Sequence, residues 1–437
     1  MLHLRLLYFL CILFSVSYSQ SLYNSYGLGL PKSSFFASEN GLGSIGLVPN
    51  FTTKVSIGNP STWRYLKHSF VNTTYESQSY SIQSSPSNSE SSQFGGIQFL
   101  VPIRSKYAIG LSVKPVNNLN TYFKTDTVNY FLHGENLNSS KEFKSGGGVM
   151  SSSFAFSLPI NTKMDVGFSF DSFFGSSRTE KSLILNNVYY RSLGVSTYKG
   201  SKYNMYFSGD LFDSDKFQIN VYSGIVKTVK PLSAYTYNFD LFEDIDGDLI
   251  PTSNDFPNNI SVDTLRVENI YAPNAFSLGL NVDFKNSVNS YFEFQLWNDN
   301  SQSMKNLGLF NDQVVSSSHV GAGIVKFGDL EDKDWQDKAT LRLGVYRKDY
   351  RLLSIGNNII ENGLSMGLGI KFGNTGNQLD LSYNNGIRSE QNGFNETFKQ
   401  FSIGISVGDV WFLRRRAKQW RSVFLKINYF SLPSQYL

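Results

Sequence analysis

The strongest constraint on this 437-residue chain is a period-two alternation of apolar and polar residues that recurs along most of its length. Phe276, Leu278, Leu280, Val282 and Phe284 share one phase, and Ser277, Gly279, Asn281, Asp283 and Lys285 share the other. Tyr107, Ile109, Leu111 and Val113 oppose Ala108, Gly110, Ser112 and Lys114 in the same way. The pattern returns in 164–171, 290–296, 364–372 and 401–408. Successive side chains of a strand point to opposite faces, so each segment makes a strand with one greasy and one polar face. Fourteen such segments start near residues 68, 94, 105, 148, 163, 200, 216, 274, 288, 316, 337, 361, 377 and 396, the weakest being those near 68, 94 and 316. Each runs about 10–14 residues, the length a tilted strand needs to cross a bilayer.

The connections carry an independent signal, because they alternate between long and short. The long ones are read at 80–93, 119–147, 174–199, 230–273, 299–315, 350–360 and 389–395. The short ones are 104–106, 161–163, 213–215, 285–288 and 373–377, with 328–338 a longer turn in a short position. Barrels in outer membranes place short turns on the periplasmic side and long loops outside. The expected fold is therefore all-β: a transmembrane antiparallel β-barrel of about 14 strands spanning 67–409, with a long extracellular loop at 230–273. Composition agrees. Only 17% of residues are charged while 15% are aromatic, which argues against ordinary soluble domains and against disorder. A net charge of +4 gives no reason to expect nucleic acid. Mean hydropathy is slightly negative, which excludes a bundle of membrane helices.

Residues 1–19 read as a signal peptide, with Arg5 at the charged end, an apolar core from Leu6 to Val16, and Ser17-Tyr18-Ser19 as the cleavage site. The apolar run is short for a spanning helix. Cys11 lies within it, so the mature chain has no cysteine and needs no disulfide. The expected location is a bacterial outer membrane, reached by export, with outer-membrane lipid and the barrel-insertion machinery as partners.

Residues 20–66 do not alternate. They are rich in Gly, Ser and Asn yet hold apolar residues that require burial, which places them inside the barrel as a hatch. The segment contains Gly27-Leu28-Gly29, a glycine-rich run from Gly41 to Gly46, and Asn59-Pro60-Ser61 just before the strand near His68. It resembles the N-terminal hatch of FadL-type outer-membrane transporters, whose pattern is a Gly-rich N-terminus, an Asn-Pro-Ala motif and then the first strand; here Ser replaces Ala. The resemblance implies a fourteen-stranded barrel that takes up long-chain fatty acids or other hydrophobic compounds passively, releasing them sideways through a gap in the wall at a kinked strand. Pro102 and Pro115 are candidates for that kink, since proline deletes a ladder hydrogen bond; they equally serve to end strands. FadL-like barrels also occur as components of type IX protein secretion, so a binding or scaffold role is the alternative. Gly41–Gly46 also fits GxGxxG, but the preceding strand, following helix and later acidic residue of a dinucleotide site are not evident.

An enzyme is not expected. Of the four histidines, His3 lies in the signal segment, His68 and His319 lie on strands and His133 in a loop, and no HExxH, GxSxG or CxxC occurs. The long loop carries the one strong local motif, from Asp244 to Asn258. It resembles a thrombospondin type 3 repeat, which binds calcium, with Leu249, Thr252 and Phe256 departing from the pattern. Asp244, Asp246 and Asp248 alternate around Gly247, and Asp255 follows. Carboxylates at that spacing converge oxygens on a hard cation, so one structural calcium ion on Asp244, Asp246, Asp248 and Asp255 is the expectation. At the other end, Trp411-Phe412 and Arg414-Arg415-Arg416 resemble the close of related barrels from Bacteroidetes-like bacteria. Residues 410–437 are read as a periplasmic tail. Val423, Leu425, Ile427 and Tyr429 leave a fifteenth strand conceivable, though an odd count is unusual.

Overall fold

A computed structural model describes residues 21–409 apart from 83–87, 105, 133–134, 286, 302–311, 330–336, 355–357, 391–392 and 394. The residues read as a signal peptide, His133 and the residues read as a tail at 410–437 lie outside the described residues. The first strands are β1 (Ser69–Ile82), β2 (Asn88–Ile103), β3 (Tyr107–Pro115), β4 (Thr121–Lys124) and β5 (Val128–Leu132). The longest follow: β6 (Glu135–Pro159), β7 (Met164–Leu185), β8 (Val188–Asp213) and β9 (Gln218–Glu243). Then come β10 (Val262–Tyr271), β11 (Pro273–Asp283), β12 (Val288–Asp299) and β13 (Val314–Lys326). The last are β14 (Ala339–Leu352), β15 (Asn358–Phe372), β16 (Asn377–Glu390) and β17 (Asn395–Asp409).

Every ladder is antiparallel, and β1 pairs with both β2 and β17, closing the sheet on itself. Because β3, β4 and β5 pair in succession with β6, and β10 and β11 in succession with β9, the closed barrel has 14 strands. Closure gives every strand a neighbour on both sides, the condition for a sheet in hydrocarbon. The two phases behave as the alternation requires. Ile109, Leu111, Phe276, Leu278 and Leu280 are exposed on the outside, while Ala108, Ser277 and Asn281 are buried inside. The sharpest contrast is at β14, where Arg342 is 1% exposed and the adjacent Leu343 is 61% exposed.

Two stretches read as long loops are wall. Residues 135–159 form β6, while 164–185 and 188–213 form β7 and β8, joined by Asn186-Asn187. Both asparagines have positive φ, 47° and 70°, the conformation of a two-residue hairpin turn that matches the strand twist. The loop at 230–273 is likewise reduced: β9 runs to Glu243 and β10 starts at Val262. The reason is physical. A tilted strand crosses hydrocarbon in about 9–11 residues, whereas β8 and β9 each have 26. Beyond the lipid layer the outward phase no longer needs to be apolar, so Ser176, Arg178 and Thr197 replace Phe and the alternation fades.

Residues 21–66 run inside the barrel and touch the wall almost all the way round. Glycines on the inward phase make the room. A Cβ on Gly344 would lie 2.6 Å from Gly43 N, on Gly321 2.7 Å from Ile45, on Gly279 2.7 Å from Val48 and on Gly167 2.5 Å from Ser61 N. These are backbone-to-segment contacts with no space for a side chain.

Candidate functional site

The inner segment is held by polar contacts. Ala37–Asn40 forms one α-helical turn, and Glu39 accepts from Phe35 N at 2.8 Å and Phe36 N at 3.3 Å. From the wall, Glu293 accepts from Leu47 N at 3.0 Å, Ser365 Oγ from Gly43 N at 2.6 Å, and Tyr291 Oη donates to Leu42 O at 3.0 Å. Arg342 donates to Asn50 O through Nε at 3.1 Å and Nη2 at 2.9 Å, and pairs with Asp380 at 2.7 Å. Burial pushes the Glu39 carboxyl up to about 7, against the smaller opposing pull of its backbone donors and of Lys114 and Lys32.

Asn59-Pro60-Ser61 starts a 3-10 helix, Pro60–Tyr65. Asn59 is the N-cap: its Oδ1 accepts from Ser61 N at 3.1 Å and from Ser61 Oγ at 2.7 Å. Its Nδ2 donates to Leu47 O at 2.8 Å, so one side chain ties two stretches of the segment together. Pro60 suits the first helical position because no N–H is needed there. The motif thus folds the segment and turns the chain into β1; all three residues are buried. Four residues into this stretch, Trp63 inserts against Gly110, its Nε1 donating to Ser56 O and Ile57 O, each at 3.1 Å. Truncating such a buried aromatic to alanine costs about 3–5 kcal/mol.

Between the segment and the wall lies a cavity of about 180 Å³. Its apolar lining includes Phe35, Phe36, Trp63 and Trp297, and its polar lining includes Lys114 and Asp171. Lys202 pairs with Asp171 at 3.6 Å, and the Lys114 ammonium lies 4.7 Å from the Phe35 ring centroid.

The wall in front of this cavity is interrupted. The β2–β3 ladder stops at Ile97↔Val113, although β2 runs back to Asn88. After Pro115 the chain leaves strand geometry until Thr121. On the β6 side the stretch stays tied: Val116 N donates to Val149 O at 2.8 Å and Leu119 N to Gly147 O at 3.1 Å, while Asn117 Oδ1 accepts from Val149 N at 2.8 Å and Asn120 Oδ1 from Gly147 N at 3.0 Å. On the β2 side, Asn118 Nδ2 donates to Gln93 Oε1 at 2.7 Å. The inner segment backs the break, with Lys32 N donating to Val116 O at 3.1 Å. Pro102, the other kink candidate, sits within the intact β2–β3 ladder opposite Ala108.

The loop aspartates are brought together in part. Asp244, Asp246 and Asp255 each offer a carboxylate oxygen within 4.8 Å of the others. Asp248 is not in that group; its Oδ1 accepts from Ile250 N at 2.7 Å. Asp244 also pairs with Arg191 of β8 at 2.8 Å, and Asp255 accepts from Ile245 N at 3.1 Å and Thr252 N at 2.8 Å. His319 contacts Gly43 O at 3.2 Å, and neither His319 nor His68 has a serine hydroxyl as hydrogen-bond partner among the described residues.

The sequence reading missed the inward charges: Glu39, Glu293, Arg342 and Asp380, and the set in which Arg388 pairs with Glu361 at 2.6 Å and Glu396 at 3.3 Å. A signal for them exists. Glu293 stands between Phe292 and Phe294, and Arg342 between Leu341 and Leu343. A charge interleaved in a lipid-facing row points inward.

Comparison with solved structures agrees with this fold. The CymD monoaromatic hydrocarbon channel is 11% identical, with a TM-score of 0.55 over 87% of this chain and 98% of that one. A Pseudomonas aeruginosa FadL homologue is 13% identical, with a TM-score of 0.54 over 87% and 98%. The Ralstonia pickettii toluene transporter TbuX is 11% identical, with a TM-score of 0.52 over 86% and 99%. At these identities the likeness is one of fold. No curated protein matches the chain. The BamG family model matches residues 1–418, nearly the whole length, and the chain belongs to the BamG family.

Proposed function

We propose that this protein is an outer-membrane channel of the FadL-like type that admits a small hydrophobic molecule passively, with residues 20–66 as its hatch. The observation that carries this reading is the wall break at Pro115–Asn120 directly in front of an aromatic-lined cavity. The fold is shared with channels whose names describe hydrocarbon and toluene transport. The cavity is close in size to one of about 150 Å³ that holds benzene in an engineered protein, so a monoaromatic ring is a better fit than an extended acyl chain. The ligand enters from the long-loop side, rests against Trp63 and Phe36, and leaves sideways past Asn118 and Gln93.

The test uses the cysteine-free mature chain. Gln93→Cys with Asn118→Cys, joined by a short cleavable thiol crosslinker, locks the break. Uptake of a radiolabelled monoaromatic hydrocarbon by cells carrying the protein should fall to background and return on cleavage. Uptake indifferent to the crosslink refutes the route.

A second reading is a binding barrel in a protein secretion or insertion assembly. One observation favours it: the cavity is smaller than the roughly 300–1,000 Å³ of ordinary ligand pockets, and ion pairs fill much of the lumen. Mild detergent extraction followed by native mass spectrometry separates the two, since co-purified hydrophobic ligand supports the channel and a stable protein partner without ligand supports the assembly role. In the loop after β9, one calcium ion is held by Asp244, Asp246 and Asp255, without Asp248. The convergence of those three carboxylates supports this.

A further inference from the structure

The outward face of β8 and β9 carries three lysines at the successive levels of residues 199, 201 and 203 of β8. Lys199, Lys227 and Lys230 are exposed, and none has a carboxylate ion-pair partner among the described residues. Pairing gathers them: Lys199 lies opposite Ser233, Lys230 opposite Ser201, and Lys227 opposite Tyr203. Paired residues share a face of the sheet, and their Cα atoms are about 4.5–5.5 Å apart. Lys230 and Lys227 therefore flank the outward row Lys199–Ser201–Tyr203, while Tyr198 and Asn204 of the opposite phase are buried. Register shifts on both sides of Ser201 crowd the site further.

The height of the cluster is fixed by counting. A tilted strand covers the apolar layer in about 9–11 residues. Counted from Leu211 at the short-turn end of β8, that span ends at about Ser201; counted from Ile219 on β9, it ends at about Val229. Both counts put the lysines at the far rim of the lipid-facing band. Beside Lys227 and below it the outward face is apolar, with Tyr203 opposite Lys227 and the Met205–Ile225 pair beyond, all exposed. Like charges on neighbouring positions of a sheet are unfavourable, and no carboxylate among the described residues pairs with them here. On β14, by contrast, the outward Arg347 pairs with Asp349 at 3.1 Å.

We propose that Lys199, Lys227 and Lys230 bind the phosphorylated headgroup of an outer-leaflet glycolipid, whose acyl chains lie against Tyr203, Met205 and Ile225. Ammonium groups bind phosphate as point charges. Continuity with the lipid-facing band selects a membrane lipid over a phosphate from solution. The inference rests on outer-membrane placement with the long loops outside, and is independent of what passes through the lumen.

The experiment places the full-length protein in phosphatidylcholine nanodiscs doped with bisphosphorylated lipid A or with its dephosphorylated form. Bound lipid is counted by native mass spectrometry across a lipid titration. A variant carrying Lys199→Gln, Lys227→Gln and Lys230→Gln is compared with one carrying Lys106→Gln, Lys163→Gln and Lys216→Gln at the opposite end. Each lysine at a charged membrane surface contributes roughly a fivefold factor, so the first variant should lose affinity on the order of a hundredfold, and the second should bind as wild type. Heat-modifiable gel mobility confirms folding; should the triple variant fail it, Lys227→Gln alone should show the fivefold loss. Equal binding by the rim variant, equal binding of dephosphorylated lipid, displacement by inorganic phosphate, or an equal loss in the opposite-end variant would overturn the proposal.

Discussion

Glu39 is a carboxyl group buried inside the barrel on the inner segment, and its titration predicts how stability varies with pH. In the unfolded chain it ionises near 4.5; in the folded barrel burial raises that to about 7. Below about pH 4.5 both states keep the proton and the group is neutral toward folding. As pH rises the unfolded chain releases the proton first, so stability falls, and above pH 7 the full difference is present. At 1.36 kcal/mol per unit this amounts to about 3 kcal/mol. The Glu39→Gln variant would retain a carbonyl to accept from Phe35 N and Phe36 N but would not titrate at this position. The amide N–H₂ it adds is a constant penalty, which drops out of any comparison between pH values. The stability difference Glu39→Gln minus wild type should therefore grow by about 3 kcal/mol in favour of the variant between pH 4.5 and 8.5. Urea titrations in detergent micelles, followed by circular dichroism, provide the measurement. Both proteins are compared in a Glu293→Gln background, because Glu293 interacts with Glu39; carboxyls that do not feel Glu39 titrate equally in both and cancel. Parallel pH profiles, within about 0.5 kcal/mol, would show that water or a cation reaches Glu39 and that the segment is not sealed in the wall.

Adjacent residues of β14 should respond oppositely to charge. Leu343→Arg places a charge in lipid and should cost about 2–4 kcal/mol at the bilayer midplane, whereas Arg342→Met removes a charge from the lumen, strands Asp380, and should cost about 3–5 kcal/mol; refolding into bilayers of defined composition reads both. Gly344→Leu, with no room beside Gly43, should expel the inner segment and expose residues 21–66 to limited proteolysis while the barrel keeps its heat-modifiable mobility. Calcium should raise the resistance of the 244–255 loop to proteolysis, and Asp246→Asn should abolish that protection; Asp248→Asn should leave it intact.

The outward half of the fold was legible because lipid imposes one chemistry on it. Every crossing needs an apolar phase, so fourteen crossings could be counted from Phe, Leu and Ile spacing alone. The walls beyond the membrane were not legible, since nothing there requires an apolar phase: Ser176 and Arg178 face water as readily as any polar residue, and the far ends of β7 and β8, at 174–199, read as loop. Their hairpin at Asn186-Asn187 was the missed sign. Asn59-Pro60-Ser61 was found as a pattern, but its work as an N-cap that also holds Leu47 O depends on a contact 12 residues away. The loop aspartates split for a similar reason. Asp244 and Asp246 meet Asp255 because the chain folds back through Thr252, while Asp248 is turned to its own backbone, which spacing alone does not distinguish.

The same contacts decide which way a molecule in the cavity can leave. The downward route requires the inner segment to move. That breaks the Arg342 bonds to Asn50 O, the Glu293 bond to Leu47 N, the Ser365 and Tyr291 bonds, and withdraws Trp63 from its socket. Hydrogen bonds to charged groups contribute about 1.5–3 kcal/mol each and a buried aromatic about 3–5, so the sum is on the order of 10 kcal/mol. Sideways, the obstacles are the Asn118–Gln93 bond and the Lys32 N–Val116 O bond. Both are bonds without an ion pair, at about 0.5–1.5 kcal/mol each, in a stretch where the β2–β3 ladder has already ended. A difference of several kcal/mol separates the two routes. The break after Pro115 is therefore the weak point of the lumen, and the inner segment acts as its floor.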